Sequence, residues 1–167
     1  SKDEWDVPSK NTAVIHHSVD TNIFCPLDID RQPHILSVVN DFVERDYCCN
    51  YSGWQRITEG MKTRLVGNTE GLSQPAFSVE ALAEDYNQCP VCLITSTLRP
   101  VPTTLLEAMA CGCAVVSTAT CMIPEVIVHG ENGMISNDEQ ELTSYINTLM
   151  QDSDLRSKLG SAARETI

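Results

Sequence analysis

The stretch Ser96-Thr-Leu-Arg99-Pro-Val-Pro102-Thr-Thr-Leu-Leu-Glu107-Ala-Met-Ala-Cys-Gly112-Cys-Ala-Val-Val-Ser-Thr118 decides the fold. Just before it, Val91-Cys-Leu-Ile-Thr95 is a short, uninterrupted apolar run, the mark of a strand covered on both faces. From Pro102 to Cys111 the pattern turns helical, with Leu105, Leu106, Met109 and Ala110 on one face. Gly112 stands where a glycine ends a helix. Ala114-Val-Val-Ser-Thr118 is then a second buried strand. A strand, an amphipathic helix and a strand make a βαβ unit, whose two strands lie parallel.

The same alternation extends outward. Ile35 to Phe42 reads as a first buried strand and Arg64-Leu-Val-Gly67 as a short second one. Gly53 to Met61 holds a short helix with Trp54. Val79, Leu82, Ala83 and Tyr86 recur at helical spacing, as do Leu142, Tyr145, Ile146, Leu149 and Met150. Asp138 and Glu141 precede that last stripe at capping-box spacing. Gly130-Glu-Asn-Gly133 is a turn, and Leu155, Leu159 and Ala162 mark a final helix. The expected class is therefore α/β: a Rossmann-like, mainly parallel sheet with helices on both faces. Residues 18–167 form that domain, and the polar, charged residues 1–17 are a tail or linker. In such sheets ligands bind beyond the carboxyl ends of the strands. The segments to watch are Asp41 to Arg45, Gly67 to Gly71, Ser96 to Thr104 and Thr118 to Glu125.

Composition narrows the function. The 167 residues suit one domain, and 42% hydrophobic with 20% charged residues fit a globular chain. Eleven Lys and Arg against 23 Asp and Glu give a net charge of −12. That acidity disfavours nucleic acid and anionic lipid as partners. The longest charge-free run, between Glu107 and Glu125, contains Gly112, Ser117, Thr118 and Thr120, so it reads as a helix end and a strand rather than a membrane span. No signal peptide is visible. Ser1 in place of Met suggests a processed or trimmed chain. Most of the eight cysteines lie in apolar stretches and read as buried thiols in a reduced, cytoplasmic compartment. Cys89-Pro-Val-Cys92 has zinc-knuckle spacing without a second properly spaced pair, so no metal site is expected. A redox or metal protein built on these cysteines is a third reading. Asn50-Tyr51-Ser52 is a glycosylation triplet, a weak signal.

The chemistry concentrates where the deciding stretch leaves its strand. With Pro102 at the first helical position, the amides of Thr103, Thr104 and Leu105 are free donors at the positive end of a helix, suited to a diphosphate. Glu107, one turn further in, has the acceptor geometry for a ribose diol. The alternative is a plain crossover helix with a partly exposed glutamate. Neither familiar glycine-rich phosphate loop is present.

Leu-Leu-Glu107-Ala-Met-Ala-Cys-Gly112-Cys-Ala-Val-Val-Ser-Thr118, then Ile-Pro124-Glu-Val-Ile127, then His-Gly130-Glu-Asn-Gly133, resembles the C-terminal half of GT-B glycosyltransferases, most closely the retaining, nucleotide-sugar-dependent family 4 (glycosyl transferases group 1). Val19-Asp20-Thr21 with Phe24 and Pro26 resembles the lead-in to that half. Asp152, Leu155-Arg156, Leu159-Gly160 and Ala163-Arg164 resemble its closing helices. The resemblance implies a domain that binds a nucleotide-diphosphate sugar as donor substrate, with no separate cofactor. It also implies an N-terminal acceptor-binding half, absent here, without which this chain transfers nothing. Glu107 matches the glutamate that holds the ribose, and Thr103 and Thr104 match the segment whose amides meet the diphosphate. Arg45 stands where the family has the first of a basic pair. The lysine usual a few residues later is absent, with Asn50 and Tyr51 there and Arg56 a loose substitute. Asn68 is placed beside the base.

One departure bears on catalysis. Eight residues before Glu107 the family has an acid that touches the donor sugar; here Arg99 stands there, followed by Pro100. Three readings stay open: an acidic donor sugar paired by Arg99, an unusual donor pose, or a degenerate half that only binds a sugar nucleotide or a protein. Arg45 and Arg99 are the candidate catalytic residues. Trp54 is either a stacking surface or core, and His16-His17 read as linker. Glu125 reads as structural, with a cleft-facing role as the alternative. The acceptor, including any membrane-associated one, is open.

Overall fold

A computed structural model describes residues 17–98, 101–120 and 122–167. Five strands, β1 (Ile35–Val38), β2 (Thr63–Val66), β3 (Val91–Ile94), β4 (Ala114–Ser117) and β5 (Met134–Ile135), form one sheet in the order β2-β1-β3-β4-β5. Every neighbouring pair is parallel. This is one of the two common doubly wound orders, and its strand order reverses between β1 and β3.

Period-two alternation explains why both faces are covered. Ile35, Val91, Leu93, Ala114 and Val116 point to one side, where they meet Trp54 and Ile57 of α2 (Tyr51–Ile57) and Leu142, Ile146 and Leu149 of α6 (Glu139–Gln151). Leu36, Cys92, Ile94 and Val115 point to the other. They meet Tyr86 of α3 (Val79–Gln88), Leu105 and Met109 of α4 (Thr103–Ala110) and Ala163 of α7 (Ser153–Thr166). Trp54 is thus core, its indole donating to Ser37 Oγ at 3.1 Å.

Three boundaries differ from the sequence reading. β1 ends at Val38 because Asp41 takes a left-handed turn (φ 51°), and Phe42 re-enters the core beyond it. The expected Gly53–Met61 helix starts earlier, at Tyr51, behind a short α1 (Asp46–Cys49). Asn50, left-handed at φ 57°, breaks α1 from α2, and its side chain accepts from the Gly53 amide at 3.1 Å. That Oδ1 caps the start of α2. Pro102 is the N-cap of α4 rather than its first helical residue, with extended ψ of 137°.

Gly112 closes α4 in the left-handed conformation (φ 70°), and Gly160 of α7 lies so close to its carbonyl that a Cβ there would collide with backbone. A short α5 (Ile123–Val126) leads into β5. The expected cap of α6 is present: Asp138 accepts from the Gln140 and Glu141 amides. Glu141 turns away to Ser136 and Tyr145 instead of completing the box. Among the described residues no helix is long and apolar enough to cross a membrane.

Candidate functional site

A cleft of about 170 Å³ opens at the carboxyl ends of β1 and β3, where the strand order reverses. Val38, Val39 and Asn40 leave β1 on one side, Thr95 and Ser96 leave β3 in the middle, and Pro102, Thr103 and Thr104 begin α4 opposite. Arg45 closes the rim.

Local hydrogen bonds fix this arrangement. The Thr97 amide donates to the Cys48 carbonyl at 2.9 Å, and Thr95 Oγ1 to the Cys49 carbonyl at 2.7 Å. These bonds tie the helix that follows Arg45 to the exit of β3. Ser96 is held from the far side, its carbonyl accepting from Thr118 and Thr120 hydroxyls. The loop beyond β1 is tied to the loop beyond β2: Asn40 Oδ1 accepts from the Asn68 amide at 2.8 Å, and Thr69 Oγ1 from the Phe42 amide at 2.9 Å.

The sequence-predicted residues divide. Arg45, Thr103 and Thr104 come together in the cleft. Arg45 forms no ion pair among the described residues, and α4 has no side-chain cap at its start. The amides of Thr103 and Thr104 have no partner among the described residues. The Leu105 amide is a correction: it donates to the Pro102 carbonyl at 3.0 Å, a three-residue bond that tightens the first turn of α4 onto its cap. Asn68 lies outside the cleft lining and is exposed; its backbone meets the β1 exit through Asn40 and through the Asp41 amide, which donates to its carbonyl at 2.8 Å. Arg56 is spent elsewhere, with Nε and a second nitrogen on the two Glu139 oxygens at 2.8 and 2.6 Å. Arg99 lies outside the described residues.

Glu107 sits one turn into α4, about 6 Å along the axis from Thr103, and is half-buried. Its Oε2 accepts from the Tyr86 hydroxyl at 2.8 Å. Burial raises its pKa above the usual carboxylate value, and the Tyr86 hydrogen bond opposes that rise. Burial also holds the Tyr86 phenol well above its ordinary value, so it stays a donor. Asn40 and Tyr86 escaped the sequence reading. Asn40 was absorbed into an overlong first strand, although an Asn-Asp pair is itself a turn signal. Tyr86 was read only as the apolar face of α3.

Among the described residues Cys48, Cys49, Cys89, Cys92, Cys111 and Cys113 are buried in the core, and Cys25 is half-buried. Burial pushes Cys89 up to about 11 and Cys111 up to about 12, and raises Cys92 and Cys113 further. Protonated thiols of this kind pack as small apolar groups. Among the described residues no three His, Cys, Asp or Glu side chains are grouped to hold a metal.

The arrangement offers an anion a guanidinium and two helix-end amides, with a carboxylate acceptor one turn away. The sequence profile of the family described as glycosyl transferases group 1 matches residues 74–166. An N-acetyl-alpha-D-glucosaminyl L-malate synthase of Bacillus anthracis is 33% identical over 88 residues, which cover 52% of this chain and 23% of that protein. The chain spans about a quarter of the length of the curated relatives it matches. The C-terminal domain of a glycosyl transferase group 1 family protein (LpcC) from Francisella tularensis has the same fold, with a TM-score of 0.66 at 17% identity, over 89% of this chain and 96% of that one. Anabaena Alr3699/HepE in complex with UDP is 27% identical with a TM-score of 0.57, over 87% of this chain and 38% of that one.

Proposed function

The chain belongs to the glycosyl transferases group 1 family, and from that premise we propose that it is the donor-binding half of a nucleotide-sugar-dependent glycosyltransferase of the GT-B fold. The observation that carries this reading is the meeting of Arg45 with the open start of α4 at the switch point of the sheet. The Anabaena neighbour seen with UDP supports it.

The donor's diphosphate lies between the Arg45 guanidinium and the Thr103 and Thr104 amides. Charge grows on the leaving diphosphate as the glycosidic bond breaks. A guanidinium and amides already aimed there stabilise that charge without reorganising. Glu107, ionised, accepts from the ribose hydroxyls. Transfer proceeds with retention, and the acceptor arrives on a second, N-terminal half. A cleft of about 170 Å³ is smaller than the ~300–1,000 Å³ of a complete ligand pocket. That supports a site finished by another domain, so the isolated chain binds donor and transfers nothing.

A second reading has its own observation. Arg99-Pro100 occupies the place of the family's sugar-contacting acid, which favours either an acidic donor sugar or a half that binds without catalysis.

Calorimetric titration with UDP, GDP and ADP tests the proposal, with Glu107→Ala as control. One diphosphate is expected to bind saturably and to lose affinity in the variant. A folded chain that binds none of the three overturns the reading. Sugar transfer by the isolated chain would overturn the half-site claim alone.

A further inference from the structure

Tyr86 has one polar atom, and that atom is on Glu107. The residue is fully buried, its ring edge-on to Phe24 at 6.0 Å. Around it lie Leu105, Met109 and the thiols of Cys92 and Cys113. Phenylalanine would fill the same space. Carrying a hydroxyl into such a place is unfavourable unless it is satisfied, and here it is satisfied by Glu107 Oε2 at 2.8 Å. The two residues are 21 apart in sequence, on α3 and α4.

We propose that Tyr86 is a positioning residue for recognition of the nucleotide ribose: its hydroxyl locks one oxygen of Glu107 and keeps the carboxylate aimed and charged, leaving Oε1 for the sugar diol. The inference rests on the donor-site reading above. Oε1 has no partner among the described residues. A free glutamate side chain on a helix samples many rotamers, and ordering it at the moment of binding weakens affinity. The Tyr86 bond does the ordering beforehand. It also counters burial, which favours the neutral acid, a poorer acceptor for two hydroxyls. The other titratable groups felt at this place are Cys92 on β3 and Cys111 and Cys113 after α4, all protonated. The Tyr86 hydrogen bond opposes that burial and favours the charged carboxylate.

The test compares UDP with 2′,3′-dideoxy-UDP on the wild-type chain, Tyr86→Phe and Glu107→Gln. The wild type is expected to prefer UDP. Tyr86→Phe is expected to lose roughly tenfold in UDP affinity, the loss of one charge-assisted bond, with dideoxy-UDP affinity unchanged. Its UDP binding is also expected to fail at a higher pH on acidification, because Glu107 protonates more readily without the phenol. Glu107→Gln, which keeps the tyrosine, is expected to bind the two ligands alike. A folded Tyr86→Phe that discriminates like wild type overturns the inference and leaves the donor site standing; so does a loss shared equally by both ligands, which is a packing effect. Undiminished discrimination in Glu107→Gln overturns it without any change at Tyr86. A wild-type chain that binds no UDP, GDP or ADP overturns the donor-site reading and the inference with it.

Discussion

The two ends of helix α4 use arginine in opposite ways. At its C-terminal end, arginines are spent on carbonyls. Arg164 donates to Ala110 at 2.9 Å and to Phe24 at 3.1 Å, and Arg31 reaches Gly112 at 3.3 Å. Arg156 does the same for α6, donating to Leu149 at 2.6 Å. At its N-terminal end the amides of Thr103 and Thr104 are left open and Arg45 has no carboxylate partner among the described residues. Helix ends expose the same number of unsatisfied groups on either side. One end is satisfied internally, and on the proposed reading the other is kept for a ligand. Stability and the proposed function would thus divide along one helix only eight residues long.

The largest effect should come from breaking the closed end. Arg164→Ala strips charged donors from the Ala110 and Phe24 carbonyls and should lower unfolding free energy by about 2 kcal/mol, read by urea denaturation, with UDP affinity unchanged in the folded fraction. Next, Arg45→Ala should leave the denaturation midpoint within about 0.5 kcal/mol of wild type yet weaken UDP roughly tenfold. Its remaining binding should depend less on salt, since a screened charge is gone. Calorimetry at two ionic strengths reads both. Glu107→Gln should part the two properties further. Burial raises the Glu107 pKa above its usual 4.5, so the folded state holds that proton more tightly than the unfolded chain. Stability therefore rises as pH falls through the raised value, and the charged form is a cost above it. The variant should be no less stable at pH 7, with a flatter pH dependence on acidification toward the ordinary carboxylate range, while losing nucleotide. Smallest is Arg56→Ala, which removes a pair with Glu139 whose side chains are 61% and 37% exposed; thermal melts should show under about 0.5 kcal/mol.

Much of this was legible in the sequence where one signal dominated. Val91–Ile94 and Ala114–Ser117 are buried at every residue and read as strands from apolar continuity alone. Glu107, Thr103 and Thr104 follow from a motif that is contiguous in sequence. Legibility failed where two signals competed. Phe42 extended the first strand on paper because it is apolar, while the left-handed Asp41 ends it in space. Arg56 looked available because nothing in its neighbourhood names Glu139, 83 residues away. Tyr86 fitted the stripe of α3 so well that its hydroxyl went unread, and its partner lies on another helix.

The bonds from Thr95 and Thr97 to the Cys49 and Cys48 carbonyls have a kinetic consequence. They fasten the short helix that follows Arg45 to the strand exit at the middle of the cleft. On the proposed reading, a diphosphate entering there meets an Arg45 segment already fixed to the strand exit. Capture by this domain should therefore be a single second-order step whose observed rate climbs linearly with nucleotide concentration, without the plateau that a rearrangement after encounter would impose.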